Sequence, residues 1–226
     1  MKDVEDGILI IPFYIICDES QSMEGAKLDA CNTELTKLHA AYASEPQFSW
    51  HVRVGVISFS DTAQVLLPLS IMTDVVDLPG LVAKGGTNYG NAFICLKNTI
   101  QTDIADLKKG SDKVNRPIVF FISDGEPTDK NWKAAHAQVA DKSWPFSPHI
   151  ISFGVGGAQA DTIREVATQV DKKGKSFAYL ADDNADPGAV LSEIFKSLLK
   201  GLWEAACGRG MVLPITGPGF IKLDEI

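Results

Sequence analysis

Ile8 to Cys17 is a nearly unbroken apolar run of ten residues, interrupted only by Pro12, and it stops abruptly at Asp18-Glu19-Ser20-Gln21-Ser22. A strand with one wet face alternates; a continuous run marks a strand covered on both faces, as in a parallel sheet between helices. The run is too short for a membrane span, which takes roughly 20 apolar residues. The first strand is therefore expected at the centre of a layered α/β sheet, with a cluster of oxygen-bearing side chains at its carboxyl end.

The rest of the chain follows that plan. Leu28, Cys31, Leu35, Leu38 and Tyr42 recur at steps of three and four, one face of a helix over Glu24 to Ala43. His51 to Phe59 reads as a second strand. Ala63 to Leu69 reads as a third, reached through Ser60-Asp61-Thr62, a link so short that only antiparallel pairing is possible. Asp74 to Val82 reads as a short helix, and Lys84 to Asn91 as a glycine-rich loop. A helix from about Asn91 to Lys108 follows, then a polar linker, Lys109 to Asn115. Arg116 to Ser123 is the most buried-looking strand. Asp129 to Asp141 reads as a helix, Ile150 to Val155 as a strand, Thr162 to Val170 as a helix, Ser176 to Leu180 as a strand and Pro187 to Ala206 as the last helix. This alternation predicts a doubly wound α/β domain: a mostly parallel central sheet, one antiparallel edge strand and helices on both faces. Residues 1–206 are expected to form it. Residues 207–226 hold Gly208, Gly210, Pro214, Gly217, Pro218 and Gly219, and read as a tail outside the core.

Charge and cysteine usage narrow the function. The 226 residues include 29 acidic and 21 basic side chains, a net charge of −8. That balance disfavours nonspecific binding to nucleic acid or to an anionic membrane. The opening residues carry Asp3, Glu5 and Asp6 against the single Lys2, unlike the basic start of a secretory signal. Cys17, Cys31, Cys95 and Cys207 form no CxxC pair; the first three read as buried thiols, consistent with a reducing cytoplasm.

In open α/β sheets, ligands bind at the carboxyl ends of the strands. Three separate segments bring hard oxygen donors there: Asp18, Ser20 and Ser22 after the first strand, Thr87 in the glycine-rich loop, and Asp124 after the strand ending at Ser123. Such a set suits Mg²⁺, Mn²⁺ or Ca²⁺. Hydroxyls coordinate without neutralising, so the ion stays able to bind another carboxylate. Each motif alone has a plainer explanation, since Asp-x-Ser-x-Ser also caps helices and Ser-Asp-Gly also makes turns. Their order, each at the end of the right element, is more specific.

With those residues in place, the chain resembles the von Willebrand factor type A (VWA) domain, a Rossmann-like fold with a metal ion-dependent adhesion site. The resemblance covers about residues 8–205 and implies metal ligation by Asp18, Ser20, Ser22, Thr87 and Asp124. It also implies a Mg²⁺ ion completed by an acidic residue of a protein partner. Glu19 and Gln21 stand where the family commonly has small residues. Glu19, Asn88, Glu126 and Trp132, on the same loops, are expected to select the partner. A narrower likeness, in Gly85 to Ala92 and in Arg116 to Asp129 followed by Trp132, is to the TerY-like proteins of the bacterial tellurite-resistance group. It implies an intracellular scaffold in a stress response, acting beside a protein kinase and a PP2C-type phosphatase.

The rival reading is a Mg²⁺-dependent phosphatase of the haloacid-dehalogenase type, with Asp18 as nucleophile. Its general acid would stand two residues on, where this chain has Ser20, which cannot do that work at neutral pH. There is no Gly-x-Ser-x-Gly elbow and no His-Glu-x-x-His. His39, His51, His136 and His149 have no ligand spacing and read as structural or surface residues. The chain is therefore expected to bind rather than to catalyse.

Overall fold

The computed structural model describes residues 9–44, 50–110, 113–169, 176–182, 185–206 and 220–223. In chain order the elements are β1 (Leu9–Asp18), α1 (Ala26–Ala43), β2 (Val52–Phe59), β3 (Ala63–Ser70), α2 (Tyr89–Lys109), β4 (Lys113–Val114), β5 (Ile118–Ser123), α3 (Trp132–Ala140), β6 (His149–Gly154), α4 (Ala160–Val166), β7 (Ala178–Ala181), α5 (Pro187–Ala206) and β8 (Phe220–Lys222). The sheet order is β3-β2-β1-β5-β6-β7-β8, with β4 beside the first residues of β1. The strands from β2 to β7 along this order are parallel, and β3 and β8 close the two edges antiparallel.

The unbroken apolar run of β1 is explained by its position. Ile11, Phe13, Ile15 and Cys17 face one layer, with Leu28, Cys31, Leu35, Leu38 and Tyr42 of α1 and Leu191, Ile194, Phe195 and Leu198 of α5. Tyr14 and Ile16 face the other, with Phe93, Leu96 and Ile100 of α2 and Trp132 and Val139 of α3. Both faces of the strand are thus dry, as the sequence pattern requires. The strand order reverses beside β1, whose neighbours β2 and β5 lead away in opposite directions. The crevice outside the carboxyl ends of β1 and β5 is the switch point where such sheets hold ligands.

Three expectations need correction. Asp74 to Val82 is not a helix: a 3₁₀ turn over Met72–Asp74 buries Met72, and the chain then runs irregularly to α2. Pro79 and Gly80 oppose helix there. The polar linker 109–115 contains β4, paired in parallel with Leu9 and Ile10. The stretch 207–226 is not wholly outside the core. Phe220–Lys222 pairs with Tyr179–Ala181, and Leu223, 2% exposed, packs with Ala158, Ile163 and Ala178. Without β8 the short strand β7 would be an unpaired edge, which sheets tend to cover. The remaining residues of that stretch, Cys207 among them, and Val170 lie outside the described residues.

The docking of Leu223 has a measurable consequence. Leu223→Ala should lower unfolding stability by about 2 kcal/mol, within the range for buried leucines. Urea denaturation reads this directly; an unchanged midpoint would show that the segment contributes nothing to the core.

Candidate metal centre

Asp18 ends β1 and is wholly buried. Its Oδ1 accepts from the Ser20 backbone N–H at 2.8 Å, and its Oδ2 from the Ser123 hydroxyl at 2.5 Å. The first bond turns the chain out of the strand; the second ties β1 to the last residue of β5. The turn brings Ser20 and Ser22 side by side, their Oγ atoms 3.0 Å apart. Ser22 then donates to Asp124 Oδ1 at 2.7 Å, joining the β1 loop to the β5 loop.

The Thr87 loop is fastened to the same place by main-chain bonds. Gln21 N–H donates to Gly85 O at 3.0 Å, Lys84 N–H to Glu19 O at 2.7 Å, and Thr128 N–H to Thr87 O at 2.8 Å. Gly85 adopts φ +62° beside Asp61, where a Cβ would lie 2.3 Å from Asp61 Oδ2, so both conformation and space demand glycine. Asn88 caps α2, its Oδ1 accepting from Asn91 N–H, while Asp129 accepts from the Tyr89 and Gly90 N–H groups at the same terminus. The buried Tyr89 donates to Gly125 O at 3.0 Å. The loops thus rest on the aromatic layer of Phe59, Tyr89, Phe93, Phe121 and Trp132.

The five residues expected to hold a metal are therefore brought together, and their arrangement fits a hard cation. A side chain added at Gly125 would come within 3.5 Å of Thr87 Oγ1 and 3.9 Å of Ser22 Oγ; glycine keeps the space between those hydroxyls open. Thr87 is 5% exposed, and its hydroxyl makes no hydrogen bond among the described residues, although its carbonyl accepts two. Among those residues no group of three or more His, Cys, Asp or Glu side chains is placed to hold a metal, so a cation here relies on hydroxyls beside the two carboxylates. A positive charge already sits at the site: the Lys27 ammonium bonds Asp124 Oδ2.

The four residues expected to face a partner divide. Glu126 is exposed and accepts from Thr162, and Asn88 is half-buried. Glu19 is 2% exposed, not on the rim. Its N–H continues the β1–β2 ladder by bonding Phe59 O, so its side chain is carried inward, where Ser58, Lys84 and the Val82 N–H hold it. Trp132 is 5% exposed, stacked against Phe93 and edge-on to Tyr89; it belongs to the core beneath the site. Sequence reasoning missed Ser123 and Lys27. Ser123 is the one hydroxyl in the strand Ile118–Ser123. Lys27 stands in the first turn of α1, where the helix dipole disfavours a cation, a signal that another partner holds it there. His39, His51 and His136 each bond a backbone carbonyl away from this site, those of Val75, Leu9 and Val166.

Burial pushes the Asp18 carboxyl from 3.8 up to about 6; hydrogen bonds from Ser123 and Ser20 pull it down, and the nearby Asp124 charge adds to the rise. A carboxyl with a raised folded value costs stability when ionised. Its contribution is therefore full below pH about 4 and lost as pH rises through about 6. In chelator, Asp18→Asn should be more stable than the native chain at pH 7.5, by on the order of 1 kcal/mol, and the gain should vanish below pH 4. Thermal melts across that range test it; a stability loss at pH 7.5 would contradict it.

The sequence profile of the von Willebrand factor type A domain matches residues 13–126, a span that holds all five of these residues. Proximal thread matrix protein 1 from the mussel byssus superposes with a TM-score of 0.57 at 15% identity, covering 88% of this chain and 49% of that one. A von Willebrand factor type A protein from Catenulispora acidiphila gives 0.55 at 15% identity, covering 85% and 42%. The ArnB paralog VWA2 from Sulfolobus acidocaldarius gives 0.53 at 16%, covering 84% and 46%. At these identities the likeness is one of fold, and the chain spans about half the length of these proteins or less. No curated protein matches the sequence. The matched span runs from β1 to the loop after β5, the part of the sheet that builds the site, and the chain belongs to the von Willebrand factor type A domain family.

Proposed function

We propose that this chain is a divalent-metal-dependent protein-interaction module, its metal ion-dependent adhesion site formed by Asp18, Ser20, Ser22, Thr87 and Asp124. The observation that carries the reading is the Thr87 hydroxyl, without a hydrogen-bond partner among the described residues and held across the open space at Gly125 from Ser22. Ser20, Ser22 and Thr87 supply the direct ligands. Asp18 and Asp124 use their hydrogen bonds to hold those hydroxyls and balance charge, directly or through water. When bound, Mg²⁺, Mn²⁺ or Ca²⁺ supplies an exchangeable position for a carboxylate of the partner. Gln21, Ser22, Glu24 and Glu126 are exposed around this opening and are the side chains a partner would meet.

A binding role agrees with the state of Asp18. A nucleophile needs a reachable oxygen, whereas Asp18 is fully buried with both oxygens accepting hydrogen bonds. The sequence likeness to TerY-like proteins, in Gly85 to Ala92 and Arg116 to Asp129, supports a partner from a bacterial stress-response, tellurite-resistance or kinase–phosphatase system and a cytoplasmic setting for the chain.

The test is capture of partners on the immobilised protein in Mg²⁺ and in chelator, with Thr87→Ala alongside. Capture should be lost in chelator and fall at least tenfold in Thr87→Ala, with the melting temperature little changed. A partner held equally well in excess chelator would refute metal dependence. Metal-dependent phosphatase turnover abolished by Asp18→Asn would establish the enzyme reading instead.

A further inference from the structure

We infer that Lys27 is a tethered counter-ion that competes with the divalent cation for Asp124. The inference rests on the metal-site reading above and adds a residue that the five-ligand set does not contain.

Asp124 is buried, its side chain 1% exposed, and it lies close enough to Asp18 for their charges to interact. A buried carboxylate without a partner is strongly unfavourable. Ser22 satisfies Oδ1 but brings no charge. The Lys27 ammonium supplies it on Oδ2. Lys84 does not serve here, because its ammonium is committed to Glu19 at 2.7 Å. Among the described residues, Lys27 is the cation paired with Asp124.

The lysine reaches the site from the side. It leaves the first turn of α1, and its stem crosses Gly156, where an added Cβ would lie 2.8 Å from Lys27 Cδ. Gly156, at φ +56°, therefore leaves the channel that the stem occupies. The Lys27 side chain is 20% exposed, so its head has an outward path to solvent along a flexible four-carbon stem. An ammonium on Asp124 Oδ2 and a divalent cation beside the same carboxylate repel each other. Cation binding requires the lysine to move outward or to share Asp124 less closely. Whatever stabilises the cation-free state weakens apparent cation affinity by the same factor. Lys27 thus lowers affinity while keeping the cation-free site folded. Once displaced, its charge stands near the opening that an acidic partner would approach.

Calorimetric titration with Mn²⁺, on the native chain, Lys27→Gln, Lys27→Arg and Thr87→Ala, tests this, with melting temperatures taken in chelator. Lys27→Gln should bind Mn²⁺ at least threefold more tightly and melt lower in chelator. Lys27→Arg, which keeps the charge, should stay within about twofold of the native affinity. Thr87→Ala should bind at least tenfold more weakly. If the native chain and Thr87→Ala behave as expected but Lys27→Gln, folded by circular dichroism, binds no more tightly, the competition is overturned and the metal site stands. If neither the native chain nor Lys27→Gln binds Mn²⁺, the metal reading falls and the competition with it. Should Lys27→Gln not fold in chelator, its refolding by Mn²⁺ would support the counter-ion role, and failure to refold would overturn it.

Discussion

A fully buried carboxylate at the end of the central strand sets the terms for the rest of the carboxyl edge. Asp18 has no contact with bulk water, and burial alone would expel its charge. It stays in place because Ser20 N–H and Ser123 Oγ donate to its two oxygens. Those donors belong to different segments, so satisfying Asp18 also turns the chain after β1 and pins the end of β5 to it. Ser20, Ser22 and Asp124 follow from that geometry, each bonded to the next.

The same crowding explains the lysines around the site. Asp18, Glu19 and Asp124 bring three acidic groups to one buried corner, and Lys84 and Lys27 answer two of them by direct pairing. Glu19 joins the end of β2, through Ser58, to the 82–84 segment. Its charge is therefore spent inside the protein on holding the segment that leads into the Thr87 loop. The aromatic layer beneath, from Phe59 to Trp132, gives the loops a rigid floor through the Tyr89 hydroxyl.

Legibility in the sequence followed how local each signal is. The runs at Ile8–Cys17 and Arg116–Ser123 and the helical face of Leu28 to Tyr42 are local patterns, and the elements they mark are present. The five oxygen-bearing residues were legible because strand ends converge at a switch point. Glu19 and Trp132 were misplaced because nearness to a motif along the chain does not decide exposure. The direction of the β-ladder turned Glu19 inward, and the rings of Tyr89, Phe93 and His136 drew Trp132 into the core. Lys27 and Ser123 escaped notice because each acts across about 100 residues of chain, on Asp124 and Asp18 respectively. The strand β8 has three residues among glycines and prolines, too few for any period to show.

The central claim is that the space between Thr87, Ser20 and Ser22 holds a divalent cation. Anomalous scattering from crystals grown with Mn²⁺ locates such an ion without reference to any partner. The account predicts a peak at about 2.1 Å from hydroxyl oxygens of Ser20, Ser22 and Thr87, the spacing of a small hard cation. A map with no peak there, while Mn²⁺ is bound at another carboxylate of the surface, would contradict it.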